Sequence, residues 1–137
     1  MPFTSLGLTA SLAATLSSNG YTAPTPIQSA AIPAVIKGDD VLGIAKTGSG
    51  KTASYVLPLL HNLEQSPAAK HREPSILVLV PTRELADQVQ QVVANYTPAL
   101  SRRTSSLAIY GGSSINTQMQ ALGKIDILVA TPGRLID

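Results

Sequence analysis

Four short β-rich runs punctuate the chain, at 40–45, 76–80, 106–110 and 126–130. Their apolar residues are continuous rather than alternating, the pattern of strands covered on both faces. Between the runs the apolar positions return at helical spacing. Leu85, Ala86, Val89, Val92, Val93 and Tyr96 fall at i, i+3, i+4 and i+7, and Ile115, Met119 and Leu122 mark a shorter stretch. Strand and helix in alternation predict an α/β fold with a parallel sheet. Ahead of the first run, Leu8, Leu12 and Leu16 stripe a helix that should end near Asn19-Gly20, where glycine can take the left-handed cap. A second helix should start at Thr25-Pro26, with Thr as N-cap and Pro in the first helical position, and Pro33 should bend it. The polar, Pro-flanked segment 65–74 reads as a loop inside one domain, and no repeat is visible.

A length of 137 residues allows one ordinary domain. With 44% hydrophobic and 13% charged residues the chain is too apolar and too weakly charged for disorder. The longest purely apolar run, Ile76 to Val80, is far short of the ~20 residues of a membrane helix, and the first residues form no signal peptide. A soluble, unexported protein with no membrane partner is expected. The absence of cysteine removes disulfides and thiolate chemistry and is compatible with a reducing cytoplasm. A net charge of +2 permits an anionic partner without demanding one. Lys70-His71-Arg72 and Arg102-Arg103 read as solvated loop charges, and with no Trp and one Phe the chain lacks the aromatic platform on which sheet-type RNA readers stack bases.

The segment Ala45-Lys46-Thr47-Gly48-Ser49-Gly50-Lys51-Thr52 lies between a predicted strand and a helical run. It ends in the Gly-Lys-Thr of a phosphate-binding loop, with alanine where the first consensus glycine would stand. Gly48 and Gly50 keep side chains out of a tight turn, so that backbone N–H groups can face a phosphate at a helix N-terminus. A helix end contributes about 0.3–1 kcal/mol to such binding, whereas an ammonium near 4 Å from a phosphate charge gains roughly 4 kcal/mol gross at an effective dielectric of 20. Lys51 should therefore dominate affinity, and Thr52 is placed to put its hydroxyl on a magnesium ion bridging the terminal phosphates. The alternative is a glycine-rich turn beside a solvated lysine. Gln28 also has two readings. It is the third residue of a capping box, Thr25-x-x-Gln28, or its amide meets N6 and N7 of adenine together.

Taken with Phe3, 17 residues ahead of Gly20, the stretch Gly20-Tyr21-Thr22-Ala23-Pro24-Thr25-Pro26-Ile27-Gln28 resembles the glutamine motif of the DEAD-box RNA helicases. That family's phosphate loop also begins with alanine. Pro81-Thr82-Arg83-Glu84-Leu85, Gly111-Gly112 and Thr131-Pro132-Gly133-Arg134-Leu135 follow in family order, so five motifs span residues 3 to 135. The resemblance implies a P-loop NTPase (RecA-like) parallel sheet flanked by helices. It divides residues 1–137, read as the N-terminal portion of a first RecA-like domain, into a glutamine-motif region (1–38) and a strand-helix core (39–137). Cofactors would be ATP or ADP with Mg2+. Phe3, Tyr21 and Gln28 would select and enclose adenine, while Thr47, Gly48, Ser49, Gly50, Lys51 and Thr52 would hold the phosphates. Lys51 and Thr52 would carry the catalytic roles and Thr52 the metal. Pro81, Thr82, Arg83, Gly112, Thr131, Gly133 and Arg134 would form a track for single-stranded RNA backbone. For Thr82 and Thr131, free N–H groups at helix starts suit backbone phosphates. Arg83 could instead pair with Asp87 at i+4, and Gly111-Gly112 could be a simple turn.

The family's acidic strand, its Ser-Ala-Thr strand and its second domain with an arginine finger would come after Asp137. The 137 residues alone are therefore expected to bind adenine nucleotide with little turnover and RNA only weakly. The sheet should be incomplete on its C-terminal side, with a vacant central slot that favours self-association or rearrangement. The competing function is a non-catalytic nucleotide-binding or interaction module. A P-loop kinase or transporter subunit would leave residues 20–28 unexplained.

Overall fold

The computed structural model describes residues 3–46, 48, 50–65, 74–101, 104–110 and 125–133. The helix expected around Ile115, Met119 and Leu122, the loop positions 66–73, and the site residues Thr47, Ser49, Gly112 and Arg134 lie outside that set. The chain forms two compact units, Met1–Ser66 with Ala99–Ser101, and Pro67–Pro98 with Arg102–Asp137.

The first unit is helical. A 3₁₀ turn at Phe3–Leu6 packs against α1 (Ala10–Ser18) and α2 (Pro26–Lys37), and α2 packs on α3 (Lys51–Gln65). Local chemistry sets the ends of these helices. Thr9 caps α1 by accepting the Leu12 N–H at 3.3 Å, so Leu8 precedes the helix yet is buried with Leu12 and Leu16. At the other end Gly20 adopts φ +88°, and the Tyr21 and Gly20 amides donate back to the Leu16 and Ser17 carbonyls, the paired closing bonds that satisfy a helix C-terminus. Gly38, at φ +94°, closes α2 in the same way. Pro33 lies within α2 and Pro58 within α3, and neither ends its helix. Each removes only the bond its missing N–H would have made one turn back. Leu12, Leu16, Ile32, Leu57 and Leu60 are fully buried, and each such side chain contributes about 1.5–3 kcal/mol relative to exposure.

The second unit carries a parallel sheet of β1 (Ile76–Leu79), β2 (Ser106–Ile109) and β3 (Ile127–Ala130) in the order β1-β3-β2, with α4 (Arg83–Tyr96) between β1 and β2 in the chain. Ile127 of β3 stands opposite Ile76 on one side and Ser106 on the other. The central strand is buried along its whole length, as a run of continuous apolar residues requires. Leu128, Ala130, Ile109 and Leu107 cluster on one face. Because side chains alternate, Ser106, Ala108 and Tyr110 share the opposite face, and α4 lies there, with Gln90 Nε2 donating to Ser106 Oγ at 3.2 Å. The expectation of coverage on both faces holds for β3 but not for β1, an edge strand on which Leu77 and Leu79 are about half exposed.

The strand expected at 40–45 does not form. Residues 39–46 carry no regular structure, and Leu42 is 87% and Ile44 83% exposed. A strand exists only where a neighbour satisfies its backbone groups, and among the described residues no strand pairs with this run. The apolar pattern is real, but among the described residues no neighbouring strand makes use of it.

Candidate functional site

Two helix N-termini in the first unit are joined through one buried amide. Thr25 caps α2, its hydroxyl accepting the Gln28 N–H at 3.4 Å, and Gln28 Oε1 accepts the Thr25 N–H at 3.0 Å, which completes the capping box. The other end of the same side chain, Nε2, donates to the Gly50 carbonyl at 3.3 Å. That carbonyl also accepts the Ser54 N–H at 3.1 Å, the first backbone bond of α3. The Thr25 backbone N–H can only donate and the Gly50 carbonyl only accept, so the amide orientation is dictated by its partners. Gln28 is 2% exposed. One lone pair on Oε1 and one N–H on Nε2 are left, the acceptor and donor that an adenine edge would need. The two sequence readings of Gln28 are thus compatible, and the capping one is realised here.

The two described glycines of the expected phosphate loop show the backbone that their type predicts. Gly48 and Gly50 both adopt φ +84°, a region L side chains rarely enter. A Cβ on Gly50 would lie 2.3 Å from Gln28 Nε2, whereas one on Gly48 would meet nothing within 4 Å. Lys51 opens α3 with its side chain exposed, where the unpaired N–H groups of a first helical turn favour an anion. Thr52 is half-buried and bonds the Tyr55 side chain; burial raises the Tyr55 phenol above its ordinary pKa, and the bond to Thr52 acts the other way. A cavity of about 460 Å³ lies beside Lys51 and Tyr55, but Asp39 and Asp40 also line it, so that hollow alone suits an anion poorly. Phe3 is buried at 5% exposure, while Tyr21 is half exposed directly after the Gly20 cap.

In the second unit the described members of the expected backbone track, Pro81, Thr82, Arg83, Thr131 and Gly133, follow the C-terminal ends of β1 and β3. Pro81 and Thr82 follow β1, and the Thr82 hydroxyl caps α4 by accepting the Leu85 N–H at 3.2 Å. Arg83 opens α4 and is exposed, but it does not pair with Asp87. Its guanidinium sits over the Tyr110 ring, 5.4 Å from the centroid. Thr131 follows β3 and Gly133 lies in the helical turn after it. The Thr131 N–H is already donated to the Ile109 carbonyl at 3.1 Å, so it extends the ladder, and what Thr131 can offer a ligand is its hydroxyl. Sequence reasoning missed Tyr110. The signal was available, since Tyr110 ends the 106–110 run two residues after Ala108 and so falls on the helix-covered face.

Among the described residues no helix is long and apolar enough to cross a membrane, and no group of three or more His, Asp or Glu side chains could hold a metal ion. A family profile, DEAD/DEAH box helicase, matches residues 25–137. The chain is 49% identical over 138 residues to the ATP-dependent RNA helicase DeaD of Buchnera aphidicola subsp. Baizongia pistaciae, covering 100% of this chain and 22% of that protein. It is 44% identical over 133 residues to the pre-mRNA-processing ATP-dependent RNA helicase PRP5 of Mycosarcoma maydis, covering 96% of this chain and 11% of the relative. Among solved structures it resembles a DEAD box protein from the hyperthermophile Methanococcus jannaschii, with TM-score 0.87, 34% identity, and coverage of 100% of this chain and 36% of that one. It also resembles the RNA helicase Prp28 from Chaetomium thermophilum bound to ADP, with TM-score 0.83, 42% identity, and coverage of 96% and 32%. The α/β, RecA-like fold class expected from the motifs is the one observed, and the chain spans about a fifth or less of these two curated relatives. With a profile matching most of its length and motifs in family order, the chain belongs to the DEAD/DEAH box helicases.

Proposed function

We propose that this chain is the adenine-nucleotide-binding part of an ATP-dependent RNA helicase, in which nucleotide binding and hydrolysis drive local RNA strand separation. The observation that carries the reading is the Gln28 bridge from the α2 cap to Gly50, which links the base-selecting motif to the phosphate loop. Gln28 reads adenine with its remaining acceptor and donor, and the exposed Tyr21 and the buried Phe3 bound the base site. Gly48, Gly50, Lys51 and the loop's Thr47 and Ser49 hold the phosphates. Magnesium bound with the nucleotide would neutralise charge on its terminal phosphates, and the Thr52 hydroxyl is the group that would hold it. Pro81, Thr82, Arg83, Thr131 and Gly133, with Gly112 and Arg134, follow the RNA backbone without reading bases. Residues 1–38 act as the glutamine-motif region and 39–137 as the strand-helix core of a first RecA-like domain. The protein works in the cytoplasm, and the 137 residues alone turn ATP over little, if at all.

Gln28→Ala tests the base assignment. ADP affinity should fall and the preference for ADP over GDP should shrink by about tenfold, given the ~1–3 kcal/mol of a bidentate pair. Calorimetry that finds the preference intact would leave Gln28 a capping residue only. The exposed apolar side chains of Val41, Leu42 and Ile44 support self-association of the 137-residue chain through this segment. Leu42→Lys combined with Ile44→Lys should shift sedimentation toward monomer, and an unchanged distribution would remove this segment from any interface.

A further inference from the structure

Arg83 and Tyr110 are 27 positions apart in the sequence and meet because of how α4 lies on β2. Gln90 reaches Ser106 near the start of β2, and Arg83 reaches Tyr110 just past its end. Two turns of helix, about 10.5 Å, therefore run alongside four strand residues, about 13 Å. Long side chains at both ends absorb the difference, and the helix axis is pinned at two points. An arginine on the first turn of a helix would otherwise sample many rotamers. Here its planar cation rests on a ring whose negative face favours that position. At 5.4 Å the cation is within cation–π range of the ring, and it carries five N–H donors, more than a single ring contact can occupy.

We propose that Tyr110 is a positioning residue for RNA: its ring holds the Arg83 guanidinium so that the in-plane donors meet a phosphodiester oxygen of single-stranded RNA. This rests on the reading of Arg83 as part of the RNA track given above. It also sets Tyr110 apart from a base-stacking aromatic, because the ring acts through Arg83, which sits over it, and not on a base. The contribution is therefore independent of base identity. It acts through the number of phosphates engaged.

The test is fluorescence anisotropy of the full-length protein on labelled oligouridine and oligoadenine, over a range of salt concentrations. Arg83→Ala should weaken both RNAs and lower the steepness of log affinity against log salt by about 0.7, the value of one single-strand phosphate. Tyr110→Leu should weaken both RNAs about three- to fivefold, the range of an exposed cation–π contact, and lower the slope in the same direction. Tyr110→Phe should restore wild-type affinity and slope, and in the Arg83→Ala background Tyr110→Leu should cost nothing further. Melting temperature and ADP affinity, measured on each variant, separate these effects from a general loss of structure. If Arg83→Ala leaves RNA affinity and slope unchanged, the RNA-track reading fails and the proposal falls with it. If Arg83→Ala weakens binding while Tyr110→Leu does not, or if the two losses simply add, the track stands and the positioning role of Tyr110 is overturned.

Discussion

Lys51→Ala should abolish useful nucleotide binding while leaving the fold intact. Lys51 is exposed at the first position of α3, so its removal opens no cavity and unpairs no buried group, and stability should stay within about 0.5 kcal/mol of wild type. Binding is another matter. The ammonium is the one full positive charge in the Gly-Lys-Thr turn, and its gross attraction to a phosphate, roughly 4 kcal/mol at an effective dielectric of 20, exceeds what the helix end supplies. Allowing for desolvation, a loss of about 100-fold in ADP and ATP affinity is expected, equivalent to about 2.7 kcal/mol. Adenosine, which has no phosphate, should bind wild type and variant equally. Titration calorimetry on the three ligands checks both arms. Equal ADP affinity in the two proteins would mean that the loop does not hold the phosphates.

The second large effect is expected at Gly50. Alanine there meets two independent obstacles. Its backbone sits at φ +84°, where an L side chain costs about 1–2 kcal/mol, and its Cβ would lie 2.3 Å from Gln28 Nε2. The Gln28 side chain could swing aside only by giving up the bond to Gly50 and straining the capping box. That leaves a buried amide short of partners at a cost of about 1–3 kcal/mol. Gly50→Ala should therefore lower stability by about 2–5 kcal/mol in urea unfolding and weaken ADP binding as well. Gly48→Ala is the internal control: the same φ with nothing within 4 Å of the new Cβ, so only the backbone cost is expected. Adding Gln28→Ala to Gly50→Ala should recover part of the loss, because the clash partner is gone. Equal destabilisation by the two glycine substitutions would show that the Gln28 bridge carries no energy.

The helix ends were legible because capping is a matter of a few adjacent residues. Thr25 and Gln28 close their box across three positions, Gly20 supplies the left-handed turn that any helix end can use, and Thr82 caps α4 from the position its side chain implies. The three short strands were legible from continuous apolar residues. Residues 40–45 carry that same signal and yet form no strand, since composition declares what a segment could pair with but does not provide the pair. Arg83 shows the opposite failure. Local spacing offered Asp87, one helical turn away, and the tertiary fold offered Tyr110, whose ring is less hydrated than a surface carboxylate and already fixed by the strand.

By itself the sequence determined where α1 ends and where α2 and α4 begin, which runs are apolar enough to be strands, and that a glycine-rich turn with Gly48, Gly50, Lys51 and Thr52 opens a helix. Each of these depends on φ preferences, side-chain caps or charges within a few residues of one another. Tertiary structure alone decided that β3 inserts between β1 and β2, that Gln28 reaches Gly50, and that Arg83 sits over Tyr110 instead of pairing with Asp87. Such choices compare the burial and hydrogen bonding of groups far apart in the chain, and the winner depends on which surfaces packing brings within reach.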